Sequence, residues 1–352
     1  MEGHCEHFAL LSVFFSSLSR VLDNRELLMG RINVLSIDGG GIRGIIPAVI
    51  LDALRTGIGR ELHEVFDLIG GTSTGGIIAL SIGTPASNGR PYRPAELVDL
   101  YVSRGPEIFQ KGILTGVKQL LGPKYSPAAL ENVLQQFFGE TEFRSALTPL
   151  LVSSYDLQSQ LPFFFKSHKV AGDPRWNWPV RLIARATSAA PTFFPPLHLQ
   201  GNGGDYALVD GGVFVNNPAM AAYAEARCVY PGESDFYVVS VGTGDRDDRI
   251  TYGQAKGWGL LGWAREIVPV MMDSVSEAVD YELDAILGIS AHTRLQTKID
   301  VASPEMDDVS ADTLANLRVQ AEQFLRQNAR TIQHVCAMLR PGRGSNLPGA
   351  GK

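Results

Sequence analysis

The chain has 352 residues, of which 45% are hydrophobic and 19% charged, enough apolar material for a large core and too little charge for a disordered polymer. A formal net charge of −6 with no basic block argues against a nucleic-acid polymer as partner, and means that an anionic membrane is not approached by bulk attraction. The three cysteines, Cys5, Cys228 and Cys336, are odd in number and widely spaced; they read as reduced thiols of a cytoplasmic protein rather than as a disulfide framework or a metal site.

Taken in chain order, the apolar run from Phe8 to Phe15 follows Glu2 and Glu6 instead of a basic stretch and is too short to span a bilayer. The run makes a poorly formed secretory signal, and with Met29-Gly30 directly before the first strand, residues 1–28 read as an upstream extension or a misassigned start; no chemistry is placed there. That strand, 32–37, runs into Asp38-Gly39-Gly40-Gly41-Ile42-Arg43-Gly44 and a helix that begins near Ile45-Ile46-Pro47. Consecutive glycines can turn their N–H groups toward one point, and a helix N-terminus adds positive potential there, so the segment reads as an anion cradle. In an acyl-transfer enzyme the anion is the oxygen of a tetrahedral intermediate.

A second short strand, 65–69, leads to Gly71-Thr72-Ser73-Thr74-Gly75 and then to a buried helix over 76–80. This is the strand-to-helix context of a G-x-S-x-G elbow, in which flanking glycines permit a tight turn that holds a nucleophilic serine hydroxyl clear of the sheet. An exposed loop is expected over 83–92. Segment 112–122, apolar with glycine ends, reads as a lid or as a short buried helix. Further strands are expected at 149–154, 162–166, 206–210 and 236–241, alternating with helical stretches, as in a mostly parallel sheet covered on both faces: a three-layer α/β/α core.

Asp210 closes the strand at 206–210, and Gly211 and Gly212 follow it, so its carboxylate is placed at the carboxyl edge of the sheet, where open α/β folds carry their sites. Past residue 250 the chain turns helical. Asp273-Ser274 is expected to cap a helix bearing Val275, Val279, Leu283 and Leu287, and Leu314, Leu317, Ala321, Phe324 and Leu325 mark a second amphipathic helix. Between them and the sheet, Gly257 to Trp263 is apolar and glycine-hinged; it reads as core packing, as the wall of an acyl pocket or as a membrane contact, and 250–265 joins 112–122 as a possible lid. One domain is expected over 29–340, with its core at about 31–245, a helical part at about 250–340 and a frayed tail at 341–352.

These motifs, in this order, resemble the patatin-like phospholipases. The resemblance rests on Asp38 to Gly44, Gly71 to Gly75 and Asp210 to Gly212. It extends to Ser188 through Pro196, Val213 through Pro218, Ser240 through Gly244, Arg294-Leu295-Gln296 and Glu305 through Asp308, from about Arg31 to about Leu325. It implies a patatin-like three-layer α/β/α fold and a lipid acyl hydrolase with a Ser-Asp dyad: Ser73 as nucleophile, Asp210 as general base, and Gly39, Gly40 and Gly41 as the oxyanion hole. Gly44, Gly71, Gly75, Gly211 and Gly212 support them, and Arg43 either holds the glycine loop or meets the lipid phosphate. No metal, cofactor or histidine is called for; His198 is the best candidate for a third member and Asp156 the rival carboxylate. Implied partners are a phospholipid membrane surface and, by analogy with bacterial patatin-like effectors of anti-phage defence, a cyclic nucleotide activator; the alternative is a constitutive, non-specific lipid acyl hydrolase.

Two readings compete. Gly39, Gly41 and Gly44 between a strand and a helix also fit a dinucleotide-binding fingerprint, but the strand that should end in an acidic residue runs into the serine elbow instead. A non-catalytic storage protein on the same scaffold has no need of intact Ser73 and Asp210.

Overall fold

The computed structural model of the protein describes residues 30–86, 89–110, 122–201, 204–246, 250–299 and 305–339. Segments 1–28 and 341–352, and all of 112–122 but its last residue, lie outside them.

The strands, in chain order, are β1 Ile32–Ile37, β2 Leu68–Thr72, β3 Leu150–Asp156, β4 Leu161–Lys166, β5 Leu197–Gly201, β6 Gly204–Asp210, β7 Phe236–Val241, β8 Asp245–Arg246, β9 His292–Leu295 and β10 Lys298–Ile299. The helices are α1 Ile45–Ile58, α2 Thr74–Gly83, α3 Pro94–Ile108, α4 Pro127–Phe138, α5 Val180–Thr187, α6 Ala219–Val229, α7 Tyr252–Ala255, α8 Leu260–Leu287, α9 Ala311–Gln327 and α10 Ala329–Leu339. The main sheet runs β5-β6-β3-β2-β1-β7-β9, with β4 also on β3. β3, β2, β1, β7 and β9 are parallel, and β4, β5 and β6 supply the antiparallel pairs.

Every residue of β1 is buried, because helices cover both faces of the parallel core. Alternation divides its side chains: Leu35 and Ile37 join the core beneath α1 to α5, α9 and α10, whereas Ile32 and Val34 join a second core with Ala219 and Ala222 of α6 and Val279 and Leu283 of α8. The molecule is thus a three-layer α/β/α fold with a mostly parallel central sheet.

Three features differ from expectation. β2 begins at Leu68 rather than at 65, since Val65 and Asp67 are taken by Asn33: its amide donates to the Val65 carbonyl (3.0 Å) and its N–H to the Asp67 carboxylate (2.8 Å). The strand continues instead through Gly70 and Gly71, and Gly70 is glycine because a Cβ there would lie 2.9 Å from that of Ala222. Asp273-Ser274 does not start a helix: α8 is continuous for 28 residues with Pro269 inside it, and the Ser274 hydroxyl turns back to the Met271 carbonyl (3.1 Å). Nor is the chain beyond 250 wholly helical, for β9 returns to the main sheet beside β7.

One arrangement positions the site. β4 occupies one edge of β3, pairing with residues 151–156. The other edge is shared: β2 pairs with it in parallel as far as Thr72 opposite Ser153, and β6 pairs with it antiparallel, ending with Asp210 opposite Ser154. The carboxyl ends of β2 and β6 therefore meet head to head on consecutive residues of β3. Gly211 lies in the junction, where a Cβ would come within 2.2 Å of Ser153 Oγ and 2.8 Å of its carbonyl carbon. Gly211→Ala must push β6 off β3, and is expected to lower unfolding stability by about 1–3 kcal/mol in a urea titration.

Candidate active site

Ser73 sits between β2 and α2 with φ 55° and ψ −124°, a backbone that side chains rarely adopt. Its neighbours explain how the turn closes. A Cβ on Gly71 would lie 2.3 Å from the Gly75 carbonyl oxygen, and one on Gly75 would lie 2.1 Å from the Ile37 carbonyl oxygen. The Ser73 N–H donates to Thr187 Oγ1 at 2.8 Å, while the Thr72 hydroxyl is held by Ser153 Oγ and the Val215 carbonyl, both at 2.7 Å.

With the turn fixed, Ser73 Oγ donates to Asp210 Oδ2 at 2.6 Å, and the other carboxylate oxygen accepts the Gly212 N–H at 2.7 Å. Asp210 is 4% exposed. Burial pushes its carboxyl up to about 7, against the opposing pull of the hydrogen bonds from Ser73 and Gly212.

The glycine loop stands against the same pair. The Gly39 N–H is engaged by the Asn216 carbonyl at 3.0 Å, so Gly39 departs from the expectation that three amides are free. Gly40 and Gly41 line the cavity with Ser73 and Asp210, and their N–H groups have no acceptor among the described residues. Gly41 needs its glycine, with φ +59° and the Met306 carbonyl oxygen 2.3 Å from a would-be Cβ. Gly44 packs against the Thr74 hydroxyl and the Tyr101 phenol, which hydrogen-bond to each other.

Arg43 holds this loop. It is 7% exposed and its guanidinium donates to the carbonyls of Gly244 (3.2 Å) and Gly40 (3.5 Å). Behind it Asp38 pairs with Arg294 at 2.6 Å, and Arg294 pairs with Asp280 of α8 at 3.0 Å. Burial raises Asp38 to about 6, with Arg294 opposing. Asp280 also accepts from Asn217 (3.1 Å), whose own carbonyl caps α6 through the Ala219 N–H at 3.0 Å. Thr187, Asn217 and Asp280 are not among the residues read as functional from sequence; Asn217 lies within the Val213–Pro218 stretch of the resemblance, directly before Pro218 and α6.

Ser73, Asp210, Gly40 and Gly41 open on a cavity of about 920 Å³ whose walls are mostly apolar, among them Ile77, Ile108, Phe109, Leu134, Phe193 and Phe194. Of α8, Glu266, Val268, Pro269, Met271, Met272 and Asp273 line it, whereas Trp258 and Trp263 of the segment 257–263 do not. His198 is paired with Asp205 on the exposed β5–β6 hairpin at 2.6 Å and does not line the cavity. Asp156 closes the β3–β4 turn, accepting the N–H groups of Gln158, Ser159 and Ala207. Among the described residues no group of three or more His, Cys, Asp or Glu side chains is placed to hold a metal, and no helix is long and apolar enough to cross a membrane.

Fold and site together define a three-layer α/β/α protein with a hydrogen-bonded serine and carboxylate on the wall of an apolar cavity. The family model described as patatin-like phospholipase matches residues 35–223. Patatin-like protein 2 of Arabidopsis thaliana is 33% identical over 330 residues, covering 83% of this chain and 81% of the relative. Patatin-17 of Solanum cardiophyllum is 33% identical over 352 residues, covering 91% and 90%. The chain belongs to the patatin-like phospholipase family, whose members are lipid acyl hydrolases. VipD from Legionella pneumophila aligns over 85% of this chain and 67% of its own at 15% identity, with a TM-score of only 0.36.

The raised Asp210 carboxyl has a consequence for stability. A carboxyl near 3.8 when unfolded and about 7 when folded binds its proton more tightly in the fold, so its contribution is fully present below pH ~4 and is lost as pH rises through 7. Asp210→Asn removes this dependence. The stability of the variant relative to wild type is expected to rise between pH 4 and 7, by on the order of a few kcal/mol, in denaturant titrations across that range.

Proposed function

We propose that the protein hydrolyses fatty-acyl esters of membrane phospholipids with Ser73 and Asp210 as a catalytic dyad. The 2.6 Å contact between Ser73 Oγ and a buried Asp210 carboxylate inside an acyl-sized apolar cavity carries this reading. Asp210 accepts the hydroxyl proton as Ser73 Oγ attacks the ester carbonyl. The oxyanion is met by the Gly40 and Gly41 N–H groups, with the positive end of α2 nearby. Collapse releases the alcohol, a lysophospholipid, which takes the proton from Asp210. Water then attacks the acyl-enzyme with Asp210 again as base, freeing the fatty acid and restoring the Ser73 hydroxyl.

An aspartate at its ordinary value near 3.9 is a weak base toward a serine hydroxyl. Burial to about 7 brings it close to neutral pH, where a general base is most effective. The Gly40 and Gly41 donors act on the developing charge, so base strength and oxyanion binding share the acceleration. A storage role without catalysis gives no reason to bury an unneutralised carboxylate beside a strained serine. A cyclic nucleotide activator and a part in anti-phage defence remain proposals from family resemblance, to be tested by assaying phospholipid hydrolysis with and without a panel of cyclic di- and trinucleotides.

Ser73→Ala is expected to abolish release of fatty acid from phospholipid vesicles and labelling by a fluorophosphonate, and Asp210→Asn to slow turnover on the order of 10²–10⁴-fold. Wild-type kcat/KM should rise with pH to a plateau, with its midpoint near 7, because the free base must be ionised. Retained turnover in Ser73→Ala places the nucleophile elsewhere. Since backbone amides supply the electrophile, full activity is expected in excess EDTA; loss that calcium alone restores counts against the roles given to Gly40 and Gly41.

A further inference from the structure

The second half of α8 belongs to the core through Val279 and Leu283, but its first half does not: between Gly262 and Val275 no described side chain is buried. That half is nevertheless apolar. Trp263, Ile267, Val270 and Met271 stand at i, i+4, i+7 and i+8, on one face of the helix, and are 44%, 39%, 37% and 52% exposed. Val268 and Met271 are exposed and also line the cavity that holds Ser73 and Asp210, so the stripe is continuous with the cavity wall at its opening. Trp258 meets Trp263 edge-on, with ring centroids 5.3 Å apart, and so adds a second indole beside the stripe.

Apolar surface of this kind, left in water, marks a contact site. Its composition selects the partner. From Trp263 to Met272 the only ionisable residues are Arg265 and Glu266, of opposite sign, so the segment gains nothing from an anionic surface and suits a zwitterionic one. Tryptophan is favoured where an apolar layer meets water, and the stripe, about 12 Å long at ~1.5 Å per residue, is short enough to lie in that layer rather than cross it.

We propose that the first half of α8 docks on a zwitterionic lipid surface, seating Trp263, Ile267 and Val270 in its apolar boundary so that an acyl chain enters the cavity past Val268 and Met271 without crossing water. The proposal rests on the acyl hydrolase reading above for its purpose, but the docking itself is measured without catalysis.

The test uses the full chain and the triple variant Trp263→Ser, Ile267→Ser, Val270→Ser, none of which lines the cavity. Sedimentation with vesicles of diether phosphatidylcholine, which has no ester to cleave, reads docking alone. Turnover is followed on ester phosphatidylcholine vesicles and on monomeric p-nitrophenyl butyrate. The triple variant is expected to lose partitioning by roughly 100-fold or more and vesicle turnover with it, while keeping wild-type turnover of the monomeric ester. Should that variant fail to melt cooperatively, Ile267→Asp alone carries the same comparison. Equal partitioning of variant and wild type, or no partitioning of wild type, overturns the proposal. So does a wild-type dimer in analytical ultracentrifugation that the triple variant dissociates, since the face is then a contact between copies. Wild type that binds diether vesicles but cleaves no ester leaves docking standing and removes the acyl hydrolase reading instead.

Discussion

The site depends on one edge of β3 being shared by two strands that arrive from opposite directions. Thr72 pairs with Ser153 and Asp210 with Ser154, so a single residue step along β3 sets the separation of the two strand ends. β4 fills the opposite edge. Register here is demanding: a slip of one residue in β6 would turn Asp210 to the other face of the sheet. The distance between Ser73 and Asp210 is therefore a property of backbone pairing, and the side-chain bonds of Thr72 to Ser153 and Val215 refine a geometry that the ladder has already imposed.

Two buried aspartates at the carboxyl edge show how partners decide what burial does. Asp38 is 1% exposed and has Arg294 at 2.6 Å, so its charge is answered and it serves as an anchor for the loop behind the site. Asp210 is 4% exposed and is met by one hydroxyl and one backbone N–H. Neutral donors recover less of the lost hydration than a cation does, so burial raises Asp210 with no cation to oppose it, whereas Arg294 opposes the rise at Asp38. The carboxylate that is costly to ionise is the one that touches the serine.

Much of this was legible in the sequence because tight turns leave chemical traces. Gly71 and Gly75 are forced by carbonyl oxygens that leave no room for a Cβ, and Gly41 by a positive φ, so each glycine in the motifs records a backbone contact. Apolar runs revealed β1 and β7, and periodicity revealed α9. What stayed hidden depends on long-range pairing. β2 extends through Gly70 and Gly71 and starts late because Asn33 captures the residues before it, and neither fact has a local signal. β9 carries His292, Thr293 and Arg294, polar residues paired with Asp284, Tyr237 and Asp38 respectively, so its composition does not read as a strand. The engagement of the Gly39 N–H by Asn216 is likewise a contact across 177 positions that no motif encodes.

Three departures from ordinary local preference gather at this end of the sheet: a serine at positive φ, a carboxylate buried without a cation, and a half-helix that leaves its apolar face in water. The parallel core beneath is locally consistent, with β1, β2 and β7 buried along their whole length, and such consistency is what lets a fold tolerate strain in one place. The polar network places the boundary between the two regimes. Arg294 reaches Ser276 and Asp280, and Asn217 reaches Asp280, so α8 is pinned from its middle onward to the same loops that carry Asp38 and the segment after Gly212. Upstream of those pins stands Pro269, which removes one hydrogen bond of the helix and separates the anchored half from the exposed one. The exposed half, which carries Val268 and Met271 on the cavity wall, thus faces a soft surface while the half from Ser276 onward stays fixed by charge and hydrogen bonding.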